Sequence, residues 1–171
     1  VKLDIGSGDF PFEEEGWTTV DAYYEDADCK AWAWDLPYES DSVEELRASH
    51  VLEHIPRPLT QRTLFEWFRV LCPGGLITIE VPDMDWMARK WLETDNGFDL
   101  DWAEECIYGA GGHMGNFHRT AWNEIRLHWA FVKTGFEEPV IKRDVFPRGK
   151  HLETQPGQHQ LEALIATANK P

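Results

Sequence analysis

Several groups of residues in this chain have the types and the spacing to do chemistry. Gly6-Ser7-Gly8-Asp9 follows directly on the apolar alternation Val1, Leu3, Ile5, and Asp21 closes a second short apolar run that begins at Trp17. Glycines after a first strand let the backbone come close to a ligand. A carboxylate at the end of a second strand can accept from two ribose hydroxyls, so the layout is that of a nucleotide-type site. The third glycine of the dinucleotide fingerprint is absent. Asp35-Leu36-Pro37 ends a third run in the same way, on an acid. His50-Val-Leu-Glu53-His54 offers two imidazoles four residues apart. On a helix these would share one face and could hold Zn²⁺ with a third ligand from elsewhere, the arrangement of a zinc-dependent hydrolase. Against that reading, Pro56 and Pro58 leave room for about one helical turn. Finally, Asp83, His113 and His118 join His54 as candidate general bases.

The elements that must position these groups follow from pattern and punctuation. Val1–Ile5, Trp17–Asp21, Lys30–Asp35 and Glu45–Ser49 read as strands, and Leu76–Val81 as a clean buried strand after the turn Pro73-Gly74-Gly75. Leu64, Phe65, Phe68 and Leu71 fall at helical spacing, which predicts a helix over Thr60–Leu71 with Thr60 as N-cap. Helices are also expected over Asp83–Leu92, Leu100–Tyr108 and Thr120–Lys133, the last stopped by Gly135. Two strands close the chain, near Glu137–Lys142 and Gln160–Ala168. Strands alternating with helices imply a mostly parallel sheet, covered on both faces, that binds ligands beyond the carboxyl ends of its strands. Residues 1–171 are expected to form one domain, with a lid-like insertion over about 84–119.

Bulk properties exclude some partners. The net charge is −15 and no basic stripe is segregated, which disfavours nucleic acid. Three cysteines without a Cys-x-x-Cys pair argue against a disulfide scaffold or a thiolate zinc site, and no apolar run is long enough for a membrane span. No signal-peptide pattern opens the sequence, so a cytoplasmic setting is expected. Trp86, Trp91, Trp102 and Trp122 surround the Gly109–Arg119 loop, where core packing is the better expectation and an aromatic substrate wall the alternative.

Taken in order, the motifs resemble the class I S-adenosylmethionine-dependent methyltransferases, and most closely a small Rossmann-like subgroup of the type 11 kind. They are Gly6-Ser7-Gly8-Asp9, Pro11, Gly16-Trp17, Val20-Asp21, Asp35-Leu36-Pro37, Ser49-His50-Val51-Leu52-Glu53-His54, the run Phe65 to Gly75, Val81-Pro82-Asp83 and Lys133-Thr134-Gly135-Phe136. The resemblance spans nearly the whole chain. It implies an α/β fold of three αβα layers, with a doubly wound seven-stranded sheet, mostly parallel, whose last strand inserts antiparallel beside the fifth. S-adenosylmethionine is the implied cofactor and S-adenosylhomocysteine its product. Gly6, Ser7, Gly8 and Asp9 would pass close to the methionine part, with Asp4 holding the loop. Asp21 would take the ribose, Ala22 would pack on the adenine, and Asp35 and Leu36 would sit at its edge. Ser49 and His50 would lie beside the methionine moiety. Catalytic candidates are His54, Asp83, His113 and His118.

Two departures from the subgroup open the expected pocket. About eight residues separate Gly8 from Trp17, too few for a full crossover helix, and no helical stretch stands ahead of the first strand. A second subunit of a homo-oligomer, or the substrate, is then expected to complete the site. The acceptor is expected to be a small or sugar-like molecule methylated at oxygen or nitrogen. The alternatives are a non-catalytic cofactor-binding partner subunit and, behind it, the zinc hydrolase.

Overall fold

The computed structural model describes residues 1–9, 11–12, 14–93, 97–111, 114–145 and 162–171; at 97–102, 114 and 145 it describes the backbone alone. Seven strands, β1 (Lys2–Ile5), β2 (Trp17–Asp21), β3 (Cys29–Lys30), β4 (Val43–Ser49), β5 (Leu71–Pro82), β6 (Glu137–Val145) and β7 (Glu162–Asn169), form one sheet in the order β3-β2-β1-β4-β5-β7-β6. All neighbours in the first five are parallel, whereas β7 runs antiparallel to both β5 and β6. This is the expected doubly wound α/β order with its one reversed strand. The winding changes direction between β1 and β4, which sets the switch point there.

Helix α1 (Arg57–Val70) connects β4 to β5, α2 (Met84–Glu93) and α3 (Gly97–Tyr108) follow β5, and α4 (Glu124–Thr134) leads into β6. Leu64 and Trp67 of α1 and Leu127 and Phe131 of α4 are fully buried in one core with Leu3, Leu46, Ile77 and Ile79 from the sheet. The two helices touch one another: Gln61 Nε2 donates to Thr134 Oγ1 at 2.8 Å, and the Phe68 and Phe136 rings meet edge to face.

Layering is sparser than the resemblance implies. Among the described residues, the connections β1–β2, β2–β3 and β3–β4 hold no helix. The sheet face away from α1 and α4 carries polar pairs instead: Lys2 with Glu45 at 2.9 Å, Arg47 with Asp4 at 3.3 Å and Glu80 at 3.7 Å, and Ser49 donating to Glu80 at 2.8 Å. The register places these residues side by side across β1, β4 and β5. Asp4 and Glu80 are buried, and charges out of water must be paired. Phe12 lies over the Arg47 guanidinium, 4.7 Å from it, and takes part of the covering role that a helix would fill.

Several boundaries differ from those expected, four of them for a clear physical reason. The third strand is two residues long, because the chain turns at Ala31–Asp35 with Asp35 N–H donating to Trp32 O. Helix α1 starts at Arg57, since a proline in the first turn lacks only an N–H that has no partner there; Thr60 therefore sits inside the helix and its hydroxyl returns to Pro56 O. The segment Pro73-Gly74-Gly75 lies within β5, where the register with β4 slips between Val43 and Glu45. Helix α4 starts at Glu124, capped by the Asn123 side chain accepting from Arg126 N–H, while Thr120 hydrogen-bonds to Leu52 O. Gly135 closes that helix at φ 113°, as expected.

Candidate functional site

The loop after β1 carries left-handed backbone at Gly6 (φ 66°) and Gly8 (φ 53°). Gly6 has no alternative: a Cβ there would lie 2.4 Å from Val51 Cγ2. Above Gly8 the space is open, with nothing within 4 Å of an added Cβ. Ser7 between them is buried, and its hydroxyl has no partner among the described residues. An exposed backbone corner beside an orphaned hydroxyl is the kind of surface that a bound ligand completes. Asp9 is exposed at the mouth of the loop, and Asp4, fully buried below it, accepts from Phe12 N–H at 2.9 Å.

Asp21 draws two loops together. One carboxylate oxygen accepts from Gly8 N–H at 3.0 Å; the other accepts from Tyr23 and Tyr24 N–H at 2.7 and 2.9 Å. Each ionised oxygen retains acceptor capacity beyond these bonds. Ala22 is half-buried next to it. Beyond Ala22, Tyr23, Trp32 and Trp34 form an aromatic group that the sequence reading did not anticipate: Trp32 and Trp34 stack at 4.8 Å and Tyr23 meets Trp32 edge-on at 5.4 Å. The signal was present as the tryptophans two apart in Lys30–Asp35, which a strand would have set on one face; the turn there stacks their rings instead. Asp35 is exposed at this end. Leu36 points into the core, and its N–H donates to Glu66 Oε1 at 2.9 Å, with Glu66 held by Arg69 at 2.7 Å.

At the end of β4, Ser49 is buried on Glu80 and His50 takes a left-handed conformation (φ 54°) that turns the chain sharply. Leu52–His54 is a single 3-10 turn. His50 stands before it, so His50 and His54 do not share a helix face as the zinc-hydrolase pattern requires. The structure instead groups Glu53, His54 and His118, whose ligand-type atoms all lie within 4.8 Å of one another. The rings of His54 and His118 are 4.9 Å apart. Backbone bonds fix the pairing of the two segments: Arg119 and Thr120 N–H both donate to Glu53 O, at 2.7 and 3.0 Å, and His54 Nδ1 lies 3.2 Å from Phe117 O. Burial pushes the Glu53 carboxyl up, but His50, with His54 and His118 behind it, more than reverses this and holds it below the ordinary value of 4.5. Burial lowers the His118 imidazole below 6.5, against the opposing pull of Glu53.

Asp83 stands apart from this group. It is fully buried, accepts from Arg143 Nε at 2.9 Å and from Asp85 N–H at 3.0 Å, and so ties the start of α2 to β6. His113 lies outside the described residues. Trp86 and Trp122 are buried, in line with core packing, while Trp91 is partly exposed. A separate groove of about 390 Å³, lined by Glu124, Ile125, His128, Trp129, Pro139 and Ile141, lies at the β6 edge, away from the switch point.

The strand order and the glycine corner at the switch point define the fold of class I S-adenosylmethionine-dependent methyltransferases, and known structures agree. One is a S-adenosylmethionine-dependent methyltransferase of Methanosarcina mazei, with TM-score 0.64 and 18% identity over 98% of this chain and 91% of that one. A methyltransferase of Thermotoga maritima, described as a possible histamine N-methyltransferase, matches at TM-score 0.65 and 15% identity, over 99% and 82%. A phosphoethanolamine N-methyltransferase of Haemonchus contortus, in complex with phosphomonomethylethanolamine and S-adenosylhomocysteine, matches at 0.56 and 15%, over 99% of this chain and 49% of that one. No protein-family model and no curated protein matches the sequence.

Proposed function

We propose that this chain is a S-adenosylmethionine-dependent methyltransferase, folded as a single domain, acting on a small or sugar-like acceptor at oxygen or nitrogen. The observation that carries the reading is the corner at the switch point: open space over Gly8, the unpartnered Ser7 hydroxyl, and Asp21 bonded to Gly8 N–H. Gly6, Ser7, Gly8 and Asp9, held from below by Asp4, would cradle the methionine part, with Ser49 and His50 beside it. Asp21 would hold the ribose. Ala22, Asp35 and the Tyr23–Trp32–Trp34 group would flank the adenine, with Leu36 supporting them from the core. The Haemonchus enzyme's complex with S-adenosylhomocysteine supports the cofactor by fold analogy.

Methyl transfer is an in-line displacement at a sulfonium carbon, and the cofactor supplies the leaving group. The protein's part is to align the acceptor with the methyl and to exclude water. A hydroxyl acceptor must also lose a proton. Val51 packs against Gly6, and the Glu53–His54–His118 group, which begins two residues further on, would be the polar group for that task. Asp83, committed to Arg143, would hold the start of α2 in place rather than take the proton. The acidic surface favours a small acceptor over a polynucleotide. All three cysteines are unpaired, which supports a cytoplasmic setting. Among the described residues no helix is long and apolar enough to cross a membrane. Among the described residues the connections beside the site hold no helix, and a second copy would complete the site on that face.

Calorimetry with S-adenosylmethionine and S-adenosylhomocysteine tests the cofactor reading: one site per chain is expected for each, and no heat from folded protein with either ligand refutes it. Turnover of the cofactor across hydroxyl and amine acceptors then separates an enzyme from a cofactor-binding partner subunit.

A further inference from the structure

We infer that Glu53, His54 and His118 form a binding site for one divalent transition-metal ion of the zinc class. Two imidazoles and one carboxylate, with ligand-type atoms within 4.8 Å of one another, are a donor set that Zn²⁺ takes with a fourth position open.

The decisive observation is the Glu53 carboxylate. It is 1% exposed, and neither oxygen has a hydrogen-bond partner. His50 Nδ1 stands 3.1 Å from one oxygen and pairs with it when the imidazole is protonated. A buried carboxylate costs several kcal/mol unless positive charge meets it, and here only imidazoles, charged only when protonated, stand near it. An ion between Glu53, His54 and His118 would add positive charge to what His50, 3.1 Å from one oxygen, supplies alone.

The surroundings suit coordination. Metal-binding histidines direct one ring nitrogen to the ion and donate the other N–H to a carbonyl or carboxylate. His54 Nδ1 lies 3.2 Å from Phe117 O, which leaves Nε2 for the ion. The backbone bonds from Arg119 and Thr120 to Glu53 O hold the two segments in place before any ion arrives, which lowers the ordering cost of binding. With three protein ligands, the fourth position takes water or a donor atom of the acceptor. With the ion bound, it is the ion's acidifying effect on that group, not the ligating side chains as bases, that would serve the deprotonation. This donor set differs from the His50/His54 pair suggested by the sequence, and its existence does not depend on the cofactor reading.

The test is titration of metal-free full-length protein with Co²⁺ and Zn²⁺. We expect one Co²⁺ per chain with visible d–d absorption of a four- or five-coordinate site, displaced by Zn²⁺. His118→Ala and Glu53→Gln should each weaken Zn²⁺ binding at least 100-fold in chelator competition, with circular dichroism confirming that the variants fold. His128→Ala, on the remote face of α4, should leave binding unchanged and serves as the control. Absence of a stoichiometric Co²⁺ spectrum in the folded wild-type protein overturns the proposal. So does binding that survives both substitutions, because the ion would then sit elsewhere. Calorimetry with S-adenosylhomocysteine on the same metal-free sample reports the cofactor site separately, so failure of one reading is not mistaken for failure of the other.

Discussion

Replacing Asp21 probes the cofactor corner and its scaffold at once. The carboxylate accepts three backbone N–H bonds, from Gly8 at 3.0 Å, Tyr23 at 2.7 Å and Tyr24 at 2.9 Å. In Asp21→Ala the Tyr23 and Gly8 donors border solvent and rehydrate in part, so the loss of folding stability should be modest, about 1–2 kcal/mol. Cofactor binding should suffer as much or more. A lost charge-assisted pair to the ribose is worth about 1–3 kcal/mol, roughly 5- to 150-fold in affinity. Asp21→Asn separates the two effects. Its single amide oxygen can serve Tyr23 and Tyr24, but its NH₂ then faces Gly8 N–H, donor against donor. We expect Asn to keep most of the stability while still losing cofactor affinity. Thermal unfolding gives the first quantity and calorimetry with S-adenosylhomocysteine the second. A clear drop in melting temperature for Asp21→Ala, with unchanged affinity, would refute the ribose assignment.

Gly6→Ala should destabilise the fold by about 2–4 kcal/mol, from a left-handed backbone costing about 1 kcal/mol and a Cβ overlapping Val51. Val51→Ala should restore part of this in a double-mutant cycle read by chemical denaturation; strict additivity would show that the overlap is not the cause. Burial pushes the Cys106 thiol up to about 12, so at pH 8 its alkylation by iodoacetamide, followed by mass spectrometry, should be about 1000-fold slower than that of a free thiol. Fast modification of Cys106 in the folded protein would contradict its environment. The Glu66 carboxyl is held below 4.5, first by its hydrogen bond from Arg69. A depressed carboxylate stabilises the fold above its unfolded value, and that contribution is lost as pH falls below about 4.5 and through the folded value. Glu66→Gln should therefore flatten the acid limb of the melting-temperature profile, and an unaltered limb would mean that the Arg69 bond carries no linkage.

Much of this architecture was legible in local chemistry. Gly6 and Gly8 after an apolar strand, Asp21 after the next, and Gly135 at the end of α4 each state a backbone requirement that neighbouring residues do not change. The apolar alternation of β1 and the apolar run of β5 announced the buried sheet, and the resemblance of the motif order to a known family indicated how the strands would be arranged. Local signals failed where the deciding partner was distant in sequence. Thr60 and Thr120 have the side chains of helix caps, yet Thr60 lies within a helix started by prolines, and Thr120 is held by Leu52 across 68 residues. Leu36, expected at the adenine edge, has its side chain in the core under α1 and its N–H on Glu66, contacts that no local pattern announced.

The sequence by itself determined the glycine corner and the acids at the strand ends, because these follow from backbone conformation and periodicity, while the sheet order was implied only by the resemblance of the motifs to a known family. Only the tertiary structure decided that Asp83 is consumed by Arg143, and that Glu53 is buried facing His118 from a segment 65 residues away. The meeting of a carboxylate and two imidazoles depends on how the 3-10 turn docks on residues 117–120. That docking is made by backbone hydrogen bonds, which leave no mark on side-chain pattern.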